Sequence, residues 1–111
     1  MAEKSPRRLQ LERSLAEDPT DPFLRYGLAL QCLREGDLEE GRERLRALIA
    51  EGPKEAVAAY QQLGQSYLET GESDEARKTL EAGIAQAKAQ GDWHAAAEME
   101  GLLAQLDPKQ A

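Results

Sequence analysis

Valine occurs once in this sequence, at Val57, threonine is scarce, and aromatic residues make up only 5% of the chain. A β-sandwich draws its core from Val, Ile, Thr and aromatics, so an all-β fold is excluded and the core must be built from Leu and Ala. Cysteine also occurs once, as Cys32, which leaves no intrachain disulfide and no cysteine-based zinc site. Histidine is limited to His94. Nucleophilic catalysis needs a nucleophile, a base and an orienting group brought together, and one His and one Cys on separate predicted helices supply no such set. No Gly-rich phosphate loop or metal-spaced ligand group occurs either, so the reading is a non-enzyme with no cofactor or metal. No apolar run approaches the roughly 18 residues of a membrane span. The start, Met1 to Pro6, runs straight into a charged segment with no signal-peptide core, and a cytoplasmic setting is expected. Positive charge is short as well: the net charge is −7 and the pI about 4.8, which argues against nucleic acid as a partner.

What the sequence does have is 41% hydrophobic and 32% charged residues over 111 positions, enough for one domain spanning 1–111. It also has an internal repeat. Sliding the chain by 35 residues pairs Leu28 with Leu63, Leu33 with Leu68, Gly36 with Gly71 and Glu40 with Glu75. Five more identities follow, from Arg42 with Arg77 to Ala50 with Ala85. A shift of 34 brings in the N-terminal segment, with Arg8 on Arg42, Leu11 on Leu45 and Pro19 on Pro53.

Each unit carries helix punctuation. Asp21 is placed to cap a helix with Pro22 in its first turn. Asp37 and Glu40 have the spacing of a capping box, and glycines at 36, 52, 71 and 91 fall at the ends. The pattern predicts six helices at about 6–17, 21–35, 38–51, 54–70, 73–90 and 92–106. Links of two or three residues force neighbours to pack antiparallel.

Residues 54–88 contain Tyr60-x-x-Leu63-Gly64-x-x-Tyr67 followed by Ala76-x-x-x-Leu80. This resembles the tetratricopeptide repeat, with Tyr in the tryptophan place and Leu in the place of the later phenylalanine. Residues 21–53 form a degenerate unit in which Arg25, Leu28, Ala29 and Cys32 hold the first-helix places, followed by Gly41, Leu45 and Pro53. Leu11, Leu15 and Pro19 look like the second helix of a leading half-unit at 7–19. The resemblance covers about 7–88. Residues 92–106 match no consensus; Trp93, Ala96, Met99, Leu103 and Leu106 share one helix face and read as a cap for the open end. The resemblance implies an all-α, antiparallel helix-pair solenoid, a right-handed superhelix whose first helices line a concave side that takes a peptide or protein.

The helix at 21–35 has a second apolar stripe, Phe23, Tyr26, Leu30 and Leu33, beyond its core stripe. By the family geometry it faces the concave side, and the places one unit later are Ala58, Gln61, Gln65 and Leu68, with Glu69 beside them. The partner-binding set read from this is Phe23, Tyr26, Leu30, Leu33, Gln61, Gln65 and Leu68, forming a shallow groove for a peptide or a helix of another protein. The alternatives are a homodimer through the same stripe or through the small strip Ala97, Gly101 and Ala104, and simple internal packing. None of the first-helix groove positions is cationic, unlike the lysine and asparagine that hold a C-terminal carboxylate in chaperone-binding members. Cys32 is expected in the core and His94 on the surface or at a cap. Lys4, Arg7, Arg8 and Arg13 are expected to form a solvated helix start, and the charge run from Glu39 to Arg46 a solvated convex face.

Overall fold

The structure, a computed structural model, describes residues 3–106. It consists of six helices: α1 (Pro6–Glu17), α2 (Pro22–Arg34), α3 (Leu38–Glu51), α4 (Pro53–Glu69), α5 (Ser73–Ala89) and α6 (Trp93–Ala104). No strand occurs among the described residues. The helix ends fall within two residues of those expected.

Local chemistry sets those ends. Asp21 Oδ1 accepts from the N–H groups of Phe23 and Leu24 at 2.8 and 3.2 Å, with Pro22 as the first helical residue. Ser5 caps α1 and Asp92 caps α6 in the same way. The turns after α2, α4 and α5 are alike: Gly36, Gly71 and Gly91 have φ of 84°, 75° and 74°. The residue after each glycine donates back to a carbonyl in the last turn (Asp37 to Cys32, Glu72 to Tyr67, Asp92 to Ala87). This closing motif needs a left-handed residue, which glycine adopts without strain.

Consecutive helices pack on each other, and α2 also meets α4 and α4 meets α6. The result is a stack of antiparallel helices with the alternate members α2, α4 and α6 side by side on one face. Two buried clusters hold it. One centres on Ala29, Leu45, Leu48, Ala59, Leu63, Tyr67 and Ala76. The other contains Val57, Leu80, Ala87, Ala96 and Met99. Two helices cross closely at Gly64, since a Cβ there would lie 2.5 Å from Leu80 Cδ2. Cys32 is fully buried, as expected.

Three expectations about charge are corrected. Arg8 is 4% exposed rather than solvated. Its guanidinium reaches from α1 to the start of α3, with Nη2 donating to Asp37 Oδ2 and Glu40 Oε1 at 2.9 Å each, and Nη1 lies 3.7 Å from Glu35. Its Nε makes no hydrogen bond and sits 3.5 Å from Glu12. The capping box at Asp37 is half formed. Asp37 accepts from the Glu40 N–H, but the Glu40 carboxylate is taken up by Arg8 and Arg44. In the charge run of α3, Arg42 is inserted against α4, with its guanidinium 4.5 Å from the Tyr67 ring centroid and hydrogen bonds to Ser66 and Thr70.

The closing helix differs as well. Ala96 and Met99 are buried and Leu103 and Leu106 half-buried, yet Trp93 is 64% exposed. On a helix of 3.6 residues per turn Trp93 lies about 120° round from Met99, outside the buried arc and alongside Ala97, Gly101 and Ala104.

Candidate interaction groove

The side-by-side helices α2 and α4 leave a furrow between them, and two depressions lie along it. At the end formed by the starts of both helices, Pro22, Phe23, Tyr26, Lys54, Glu55 and Ala58 line an open, mostly apolar hollow of about 340 Å³. At the other end Leu30, Leu33, Arg34, Gln62, Gln65, Ser66 and Glu69 line a hollow of about 240 Å³. The furrow thus changes along its length from an aromatic hollow rimmed by Lys54 and Glu55 to one lined by amides, Arg34 and Glu69.

Phe23 is 85% exposed at the mouth of the apolar hollow. With Tyr26, Ala58 and Pro22 it makes a contiguous apolar surface rather than a single exposed ring. Tyr26 is half-buried and packs against the first core cluster. Burial raises its hydroxyl pKa, partly opposed by a hydrogen bond with Gln62. It therefore forms a fixed floor rather than a free side chain. Leu30 and Leu33 line the second hollow. Leu33 is shared with the core, because it fills the space where a Cβ on Gly41 would lie 2.6 Å from its Cδ2.

On α4 the lining shifts by one residue from the expected stripe. Gln65 lies in the second hollow, but Gln62 and Glu69 stand there in place of Gln61 and Leu68. Gln61 is half-buried and lines neither hollow. Leu68 packs against both core clusters. The reason is geometric. Equivalent positions on parallel neighbours point the same way and not at each other, so a furrow between them is lined by opposite flanks. One residue, about 100° of helix, separates the flank α2 offers from the one α4 offers. Glu69, expected beside the stripe, lines the hollow itself, and Arg34, Gln62 and Ser66 line it outside the expected stripe.

Other polar groups serve the frame. Arg25, in the aromatic place of the degenerate unit, makes a two-pronged pair with Glu51. Cys32 is an inert thiol: burial first, and then the neighbouring Glu40 carboxylate, push its pKa up to about 11. His94 is exposed, 3.6 Å from Glu98, and caps nothing. Among the described residues no cluster of His, Cys, Asp and Glu is placed to hold a metal ion, and no helix is long and apolar enough to cross a membrane.

Comparison with known proteins bears on the family and the fold. Residues 33–106 match the family model for the tetratricopeptide repeat. A TPR repeat-containing protein of Pseudomonas aeruginosa is 35% identical over 97 residues, which is 87% of this chain and 91% of that protein. Among solved structures, the solution structure of a Bordetella parapertussis protein superposes with a TM-score of 0.80 at 26% identity, covering 94% of this chain and 90% of that one. A tetratricopeptide repeat domain protein from Salinibacter ruber superposes with a TM-score of 0.74 at 27% identity, covering 81% and 90%.

Proposed function

This chain belongs to the tetratricopeptide repeat family, and we propose that it is a non-catalytic adaptor that holds a peptide or helix of another protein in the furrow between α2 and α4. The family generally serves protein–protein interaction. The observation that carries the reading for this chain is Phe23, 85% exposed over an apolar hollow floored by Tyr26 and Ala58. An aromatic side chain left in water beside a concave apolar surface is the composition of a binding hot spot.

Replacing Leu30 and Phe23 together with Asp tests this. Both lie at the furrow and neither belongs to the fully buried core. Captured partners are expected to be lost while the helical circular dichroism signal and the melting temperature hold. Partner capture that survives the double change would move the site elsewhere.

A second reading has one specific observation behind it. Trp93, Ala97, Gly101 and Ala104 form an exposed strip on α6, and a Cβ on Gly101 would meet nothing within 4 Å. That excludes a tight internal crossing as the reason for the glycine. It favours a second copy of the chain as the occupant of this face, read out by mass in solution across a dilution series.

A further inference from the structure

The polar end of the furrow carries two charges of opposite sign that form no ion pair among the described residues. Arg34 and Glu69 line the same hollow from α2 and α4. Both are exposed, and no ion pair joins them to each other or to any described residue. Arg34 makes only a 3.4 Å hydrogen bond to Gln31. Arg8, Arg25, Arg42 and Arg44 each hold a carboxylate, and Arg46 instead donates to the Tyr67 hydroxyl. Of the arginines without a carboxylate, Arg34 is the one that lines this hollow. A cation in the last turn of α2 suits the helix dipole, but that accounts for the residue type and not for its facing Glu69 across an open hollow.

The chemistry of an occupant follows. A purely acidic segment would be attracted by Arg34 and repelled by Glu69; a purely basic one would meet the reverse. One acid and one base together satisfy both, with the amides of Gln62 and Gln65 beside them to bond a peptide main chain. A helix about 10–12 Å across would ride over a hollow of about 240 Å³, whereas an extended segment can set side chains into it. From Tyr26 to Arg34 is eight residues of helix, roughly 12 Å at 1.5 Å per residue, a span of about four residues in an extended chain.

We propose, building on the adaptor reading above, that the furrow recognises an extended segment with a bulky apolar residue and, about four or five positions away, an adjacent acid and base. The apolar residue sits on Phe23, Tyr26 and Ala58, the acid meets Arg34 and the base meets Glu69.

Selection of a random peptide library displayed on phage against the whole protein tests this, followed by fluorescence anisotropy with the enriched peptide. Enriched sequences are expected to share the apolar residue and the charge pair. Arg34→Glu or Glu69→Arg alone should weaken binding about tenfold or more at low salt, with the effect shrinking as salt rises. The double variant R34E/E69R should recover affinity for the peptide with its acid and base exchanged. Both residues are exposed, so circular dichroism should be unchanged. Binding that is lost with Leu30→Asp yet indifferent to both charge reversals overturns the charge inference and leaves the groove in place. Enriched peptides that ignore Leu30→Asp and Phe23→Asp as well, or no enrichment at all, count against the groove itself.

Discussion

Arg8 ties the first helix to the rest of the molecule. Its guanidinium is buried but its acceptors Asp37 and Glu40 are about a third exposed, so the pairs are held in geometry by protein on one side and solvated on the other. The same device recurs one unit later, where Arg42 reaches Ser66, Thr70 and Glu72 at the end of α4. Removing one partner from charge-assisted hydrogen bonds of this kind costs about 1.5–3 kcal/mol, so Arg8→Ala should lower the melting temperature where Arg7→Ala, at an exposed site, should not. The pH dependence has a definite sign. Hydrogen bonding from Arg8 holds Asp37 below its ordinary pKa; Glu40 is also lowered, with Arg44 and Arg8 outweighing the opposing effect of burial. Carboxylates with depressed folded-state pKa values contribute stability above their unfolded values, near 4, and lose it as pH falls through the folded ones. Thermal melts from pH 7 down to pH 3 should show wild type losing more stability than Arg8→Ala. Equal losses would mean that the network contributes nothing at neutral pH.

At the scale of the helix, glycine has two opposite meanings here. Gly64 has no room, with Leu80 fully buried against it, and Gly101 has nothing but room. Gly64→Ala should therefore cost about 1–3 kcal/mol through overpacking, partly offset by helix propensity. Gly101→Ala should stabilise by about 0.5–1 kcal/mol through propensity alone. Urea unfolding of the two variants checks both signs, and a destabilised Gly101→Ala would show that the strip is covered in solution. The first glycine is legible in the sequence through its place in the repeat motif beside Tyr60, Leu63 and Tyr67. Helix number, turns and core were legible because each rests on a residue type whose chemistry allows few positions. The furrow was half legible. Its apolar flank on α2 was plain, but Gln61 against Gln62 and Leu68 against Glu69 differ by one step of a helix, and periodicity alone does not say which flank faces a neighbour. Arg8 and Arg42 were read as surface charge because their burial depends on acceptors 29 to 32 residues away or 24 to 28 away.

The whole molecule measures 45 × 32 × 19 Å with a radius of gyration of 14.6 Å, against about 13 Å for a compact domain of this length. It is a short stack with two end helices, and because such ends have no further neighbour to cover them, their outer faces need to be polar to stay in water. The outward side of α6 carries the exposed Trp93 beside Ala97, Gly101 and Ala104, flanked by His94, Glu98 and Glu100. In an antiparallel pairing of two α6 helices about their middle, Ala97 faces Gly101 of the other copy and Trp93 falls over the small end at Ala104, so the large residue of each copy meets the small residues of its mate. A twelve-residue helix gives a modest contact, smaller than the roughly 800 Å² per partner of a standard interface, which predicts weak, concentration-dependent association rather than an obligate dimer. Light scattering across dilution should then show mass rising towards two chains at high concentration. Trp93→Glu should abolish that rise without changing circular dichroism, and leave capture through the α2–α4 furrow intact. A strictly monomeric wild type at high concentration would remove the second copy from consideration.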